Sequence, residues 1–163
     1  MATVLGILSD SHADVERTRS AIERLQASGA TEFVHCGDFE TEEVVDLFAG
    51  LRAHLTWGNC DRAVPMGRYA RALDIDAQHP LGEITVDGKR ILFLHGDDDA
   101  LLRRALAEQP HFLLHGHTHR KEDTMHGLTR VINPGAFTRT RPNPRTVARL
   151  VPATGELQFI PVD

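Results

Sequence analysis

The stretch Val4-Leu5-Gly6-Ile7-Leu8-Ser9-Asp10-Ser11-His12 decides the architecture of the chain. Its first five residues carry no polar side chain, the pattern of a strand buried on both faces of a parallel sheet, and the run stops abruptly in four polar residues. Just beyond, Val15, Thr18, Ile22 and Leu25 recur at steps of three, four and three, starting from Asp14 and closing at Gly29. That is one face of a helix. Phe33-Val34-His35-Cys36 is the next strand and ends in Gly37-Asp38. A second helix runs from a Thr41 cap through Val44, Val45, Leu47 and Phe48 to Gly50, and a third strand near Ala53 to Thr56 ends in Trp57-Gly58-Asn59-Cys60-Asp61. Strand, helix, strand, helix, strand predicts a parallel α/β half.

The period then changes. Glu83 to Val86 and Arg90 to His95 flank Asp87-Gly88-Lys89, a turn signal between two strand-like runs that predicts a hairpin. A helix is expected from about Asp98 to Ala107, where Asp97-Asp98-Asp99 supply the negative charge that a helix start favours. Phe112-Leu113-Leu114 follows and ends in His115-Gly116-His117-Thr118-His119; short strands near Leu128 to Ile132, Thr146 to Val151 and Leu157 to Ile160 complete the chain. The second half therefore reads as mostly antiparallel. Two mixed sheets packed face to face with helices outside, an α/β sandwich, is the arrangement that joins the halves. The stretch 61–82, with Pro65 and Pro80, reads as an irregular functional loop.

Length and composition narrow the classes of function. The 163 residues are 41% hydrophobic, the size and core content of a single domain, read here as residues 1–163. Lys plus Arg number 18 against 23 Asp plus Glu, so a basic groove for duplex nucleic acid is not expected. No apolar run approaches the ~18 residues that span a bilayer, and the expectation is a cytoplasmic protein with no membrane partner. Cys36 and Cys60 are too few for a disulfide framework and read as reduced thiols. Ten histidines against one Trp and one Tyr bring a metal or acid–base site into view before any motif does.

Polar residues gather at five strand ends: Asp10 and His12, Asp38, Asn59, His95, then His117 and His119. Strand ends share one edge of a parallel sheet, so side chains remote in sequence can converge there. A lone D-x-H is expected about 0.8 times by accident at this composition, whereas G-H-x-H is expected about 0.05 times and N-P-G, seen at Asn133-Pro134-Gly135, about 0.01 times. The ordered set carries the information.

In order and wording, Asp10-Ser11-His12, Gly37-Asp38, Gly58-Asn59-Cys60-Asp61, His95-Gly96 and Gly116-His117-Thr118-His119 resemble the five blocks of the calcineurin-like metallophosphoesterase superfamily. The short length and the GNCD wording look most like its small YfcE-like phosphodiesterases. The resemblance implies a four-layer α-β-β-α sandwich and hydrolysis of small phosphate esters by in-line attack of a hydroxide shared between two divalent ions. It implies Asp38 as the bridging ligand, with Asp10, His12 and His119 completing one site and Asn59, His95 and His117 the other. Two carboxylates, one amide and four imidazoles suit transition ions, Mn first, with Fe, Zn, Ni or Co as alternatives. Asp38, Asn59 and His95 are the expected catalytic residues.

Cys60 stands where most of the superfamily has a histidine that acts as general acid. A thiol is a weak hydrogen bonder, so good leaving groups are expected to be favoured over unactivated alkyl monoesters. Asn59, Cys60 and Arg139 are the candidate substrate contacts, Arg139 within a run that includes Arg141 and Arg145. A phosphomonoesterase or nucleotide pyrophosphatase, and a non-catalytic metal-binding scaffold of the same fold, are the rival readings. His35, His54, His79, His111 and His126 match no motif and are assigned structural or solvent roles, while His115 is either support for the site or core packing. The oligomeric state, a homodimer included, is left open.

Overall fold

A computed structural model of the chain describes residues 1–137 and 144–163. Fifteen elements follow one another: β1 (Leu5–Leu8), α1 (Val15–Ala27), β2 (Glu32–His35), α2 (Glu42–Asp46), β3 (Ala53–Leu55), α3 (Ala63–Ala72), β4 (Asp76–Ala77), β5 (Leu81–Val86), β6 (Lys89–Leu94), α4 (Asp99–Ala107), β7 (Phe112–Leu114), β8 (Lys121–His126), β9 (Thr129–Pro134), β10 (Thr146–Val151) and β11 (Glu156–Pro161). One sheet has the order β11-β10-β1-β2-β3-β4 and the other β5-β6-β7-β9-β8.

Side chains alternate across each strand, and the alternation builds the layers. Leu5 and Ile7 of β1, Val34 of β2, Ile91 and Phe93 of β6, and Phe112 and Leu114 of β7 meet in one buried cluster between the sheets. Leu8 and Phe33 point the other way, into a cluster with Ile22, Leu25, Val44 and Met66 from the helices outside the first sheet. Leu92, Leu94 and Leu113 turn outward under Leu101, Leu102 and Ala105 of α4. The four layers α-β-β-α follow from these three clusters.

The parallel half is as the sequence predicts: β1, β2, β3 and β4 are parallel, with β10 and β11 added antiparallel at one side. The expected hairpin is present, and Asp87 and Gly88 both take positive φ, 49° and 74°. Such a turn matches the right-handed twist of its strands. Asp14 and Asp98 cap α1 and α4, their carboxylates accepting from the Arg17 and Leu101 amides. Thr41 sits at the start of α2, but its hydroxyl makes no capping bond and the helix has five residues instead of extending to Gly50.

One further expectation is corrected, and one strand is added. The stretch 61–82 holds α3 and β4 rather than an irregular loop. Pro65 falls in the first turn of α3, where backbone N–H groups lack helical partners anyway, so the proline breaks nothing. The second half is mostly antiparallel, as expected, in the pairs β5–β6, β8–β9 and β10–β11, while β6, β7 and β9 at the centre of the second sheet run parallel to one another. Strand β8 escapes a reading by apolar alternation because it is an exposed edge strand in which only Met125 is apolar.

Away from the strand-end loops, His54 lies between two carboxylates, Nε2 2.7 Å from Glu32 and Nδ1 2.6 Å from Asp76, tying β2 and β4 to β3. Burial opposes its charge, but the two carboxylates outweigh burial and raise its pKa above the ordinary histidine value. A raised folded-state pKa contributes stability that is complete below about pH 6.5, the unfolded value, and is lost as the pH rises through the folded one. His54→Gln is therefore expected to cost about 1–3 kcal/mol at pH 6. The gap in urea midpoint between variant and parent should shrink by pH 9, and a gap independent of pH would refute the linkage.

Candidate active site

Five loops meet at the C-terminal ends of β1, β2, β3, β6 and β7, and they bring Asp10, His12, Asp38, Asn59, His95, His117 and His119 together. Of these seven residues, five take positive φ: Asp10 (60°), His12 (42°), Asp38 (63°), His117 (68°) and His119 (60°). Left-handed backbone is unfavourable for residues with a Cβ and persists where the surroundings over-determine it, commonly at functional sites. Here it turns each side chain sharply off the end of its strand toward a common point.

Each carboxylate divides its work between its two oxygens. Asp10 Oδ2 accepts from Ser9 Oγ at 2.6 Å and from the His117 amide at 3.1 Å, while Oδ1 faces His119 Nε2 at 3.1 Å and His12 Nε2 at 3.6 Å. Asp38 Oδ1 accepts from the Cys60 amide at 2.9 Å, while Oδ2 lies 3.6 Å from His12 Nε2 and 3.3 Å from His95 Nε2. Neither Asp10 nor Asp38 caps a helix. The glycines of the motifs make room for these groups: a Cβ on Gly58 would lie 2.1 Å from Asp38 Oδ1, and one on Gly116 would lie 1.8 Å from Ser9 Oγ and 2.6 Å from Asp10 Oδ2.

The histidines are held in defined tautomers. His95 Nδ1 donates to the Cys36 carbonyl at 2.8 Å, so its Nε2 faces Asn59 Oδ1 at 3.0 Å and Asp38 Oδ2 at 3.3 Å. His12 Nδ1 donates to Glu40 Oε1 at 2.6 Å, and its Nε2 faces His119 Nε2 at 3.2 Å besides the two aspartates. Acceptors converging on acceptors repel unless a positive charge lies among them. The histidines accordingly hold protons tightly: hydrogen bonding to Asp10 raises His12 to about 9, and the Asp38 and Asp10 carboxylates overcome burial to raise His95 to about 9. Burial works against the charge of Asp10, but His119 and His12 outweigh it and hold the carboxyl well below the usual range; Asp38 is lowered likewise against burial by His95 and the Cys60 amide. This donor set fits divalent cations. Asp10, His12 and His119, and Asp10, Asp38 and His95, form two groups whose ligand atoms all lie within 4.8 Å of one another. The His117 ring packs edge-on against His95 with centroids 5.1 Å apart.

Three residues of the site were not assigned roles from the sequence. Asp61 accepts from the backbone amides of Asp38 (2.8 Å), Glu40 (2.8 Å) and Gly58 (2.9 Å), binding the β2 and β3 loops to each other. Glu40 fixes the His12 ring, an arrangement common around metal-binding histidines. Ser9 holds the outer oxygen of Asp10. The signal for Asp61 is its place in the fourth position of Gly58-Asn59-Cys60-Asp61; nothing local marks Glu40. Asn133, flagged within Asn133-Pro134-Gly135, donates to Gly116 O at 2.9 Å and Thr118 Oγ1 at 3.0 Å and so clamps the last loop. His115 is buried support for that loop, with Nδ1 3.1 Å from Gly116 O and Nε2 2.9 Å from Glu122.

Buried His35 is structural. Its Nδ1 accepts from the Gly37 amide at 3.1 Å, its Nε2 meets Ser11 Oγ at 2.7 Å, and burial lowers its pKa to about 3. Both cysteines are free, Cys36 buried and Cys60 exposed beside Asn59. Burial and then the Asp38 charge push the Cys60 thiol up to about 11. Arg139 and Arg141 lie outside the described residues.

The profile of the calcineurin-like phosphoesterase superfamily domain matches residues 4–155. The chain belongs to that superfamily. Its reaction class is hydrolysis of phosphoric esters. Among curated relatives, phosphodiesterase MJ0936 of Methanocaldococcus jannaschii is 28% identical over 138 residues, 80% of this chain and 82% of that protein. Among solved structures, a novel archaeal phosphodiesterase superposes with a TM-score of 0.87 at 23% identity, covering 98% of this chain and 100% of its own. The phosphoesterase YfcE of E. coli superposes with a TM-score of 0.69 at 18% identity, covering 99% and 100%. These structures share the four-layer fold.

Proposed function

We propose that the chain is a phosphodiesterase of small phosphate esters that works with two divalent transition ions, manganese first among them. Asp10, His12, Asp38 and His119 would hold one ion, and Asp38, Asn59, His95 and His117 the other. The observation that carries this reading is the inner oxygen of Asp38, which has His12 on one side at 3.6 Å and His95 on the other at 3.3 Å while its outer oxygen is occupied by the Cys60 amide. An oxygen so placed would serve as the ligand that both ions share. Bound there, the ions would supply Lewis-acid polarisation of the phosphoryl oxygens and a more acidic water.

The chain's own residues prepare the rest. Glu40 and the Cys36 carbonyl each fix one histidine so that Nε2 faces inward. Asn59 presents its amide oxygen to the pocket, its Nδ2 turned 3.7 Å from Cys60 Sγ. The reaction is in-line displacement at phosphorus: a new P–O bond to water forms as the bond to one alcohol breaks opposite it. No imidazole follows Asn59 to protonate the departing alkoxide, and the Cys60 thiol is a weak hydrogen-bond donor. Aryl and other stable leaving groups are therefore favoured.

The test is turnover of bis-aryl, mono-aryl and alkyl phosphates after chelation and stepwise return of Mn²⁺, Zn²⁺ and Ni²⁺. Diesterase activity should vanish on chelation and return with metal, bis-aryl substrates leading. Cys60→His should raise the rate on monoesters by about tenfold or more, toward the roughly 10²–10⁴-fold that general acids contribute. Activity that survives exhaustive chelation, or an unchanged substrate order in the Cys60→His variant, would count against the assignment.

A further inference from the structure

Beside the strand-end pocket lies a separate recess of about 170 Å³ that no step of the proposed reaction uses. His95 is shared between the two, its Nε2 3.3 Å from Asp38 Oδ2, so the recess adjoins the strand-end pocket. The floor and one wall are apolar, formed by Trp57 (3% exposed) and Leu94 (1%) with Leu101 of α4. The rim is polar and of one sign. It carries the carboxylates of Asp97 and Asp98 and the ring of His79. Burial lowers the pKa of His79, so its ring adds an acceptor nitrogen and no positive charge to the rim. Asp98 spends one oxygen on the Leu101 amide at 3.0 Å, and its second oxygen remains. Among the described residues the lining holds no Lys or Arg.

The chemistry of such a recess follows from elementary electrostatics. Two carboxylates and an acceptor nitrogen disfavour a second phosphate or a carboxylate, so the rival reading as a nucleotide pyrophosphatase finds no seat for its extra phosphate here. An ammonium group or a hydroxyl donor is favoured at the rim, and its methylene or methyl groups are favoured against Trp57, Leu94 and Leu101, because aromatic faces and apolar walls accept weakly hydrated cations. The volume is ample for a compact amino-alcohol.

Resting on the phosphodiesterase reading, we propose that this recess is the binding subsite for one ester arm and selects a compact alcohol bearing a cationic or hydrogen-bond-donating end. The opposite arm, on the Asn59 and Cys60 side, is the one that leaves.

Three diesters that share p-nitrophenol as leaving group and differ only in the second arm test the assignment: choline, 2-hydroxyethyl and 2-carboxyethyl. With manganese-reconstituted enzyme, kcat/KM should fall in that order, with about tenfold between the cationic and anionic arms at low salt and less at high salt. Asp97 is exposed and takes no part in the strand-end pocket, and Asp97→Lys should reverse the order at an unchanged melting temperature. A spread below about twofold in the parent enzyme, or the same order in Asp97→Lys, overturns the subsite. Bis-p-nitrophenyl phosphate separates the two levels of the argument. If it is hydrolysed while the three arms are treated alike, only the subsite fails; if it is not hydrolysed, the phosphodiesterase reading fails and the subsite with it.

Discussion

Asp38→Asn is expected to lower kcat/KM for bis-p-nitrophenyl phosphate by about a thousandfold or more, the scale on which removal of a central charge-stabilising group acts. The substitution is nearly isosteric. The asparagine carbonyl can still accept the Cys60 amide, so the loop keeps its anchor, but the inner oxygen between His12 and His95 becomes a neutral amide nitrogen with no lone pair to offer. Charge and ligand are lost together at the point where both ions would meet. Elemental analysis after dialysis should show the metal content falling from two ions per chain to one or none, while the melting temperature moves by only a few degrees. A variant that keeps a tenth of the activity would show that Asp38 is not shared between the two ions.

Asp61→Ala is expected to be the most damaging single change to the site that replaces no proposed ligand. One carboxylate satisfies three backbone N–H groups from two loops, those of Asp38, Glu40 and Gly58, and the Asp38 and Gly58 residues are buried. A hydrogen bond to a charged group contributes about 1.5–3 kcal/mol, and the three are not additive, so a loss of about 3–5 kcal/mol is expected. For a chain of this length that is about 10 °C in melting temperature. Activity should fall with it, because the β2 loop carries Asp38 and Glu40 and the β3 loop carries Asn59. Asp61→Asn, which retains one acceptor oxygen, should lie between. An alanine variant that melts within about two degrees of the parent and stays active would remove Asp61 from the account.

The contrast between these two aspartates shows what the chain discloses in its sequence. Asp38 is legible because it ends a strand in a parallel half, where convergence at the sheet edge is a matter of topology. His95, His117 and His119 are legible on the same ground. Glu40 acts on a ring from another loop, which no periodicity or spacing encodes. Asp61 stands within the Gly58-Asn59-Cys60-Asp61 motif, but its grip on backbone amides of the β2 loop is not legible from that place. The glycines are intermediate: Gly58 and Gly116 stand inside motifs, but the reason that nothing larger fits is the carboxylates of Asp38 and Asp10 packed against them. At the level of the fold, buried strands such as β1 and β7 declare themselves by unbroken apolar residues. Exposed β8 does not, and α3 is masked by Pro65 at a point where a helix tolerates proline.

Cations occupying two positions on either side of Asp38 are the centre of the account. Anomalous diffraction at the manganese edge from crystals of the reconstituted protein measures this directly. Two peaks are predicted, one within coordinating distance of Asp10, His12 and His119 and the other of Asn59, His95 and His117, both sharing Asp38. A single peak remote from Asp38, or none at full manganese loading, would contradict it.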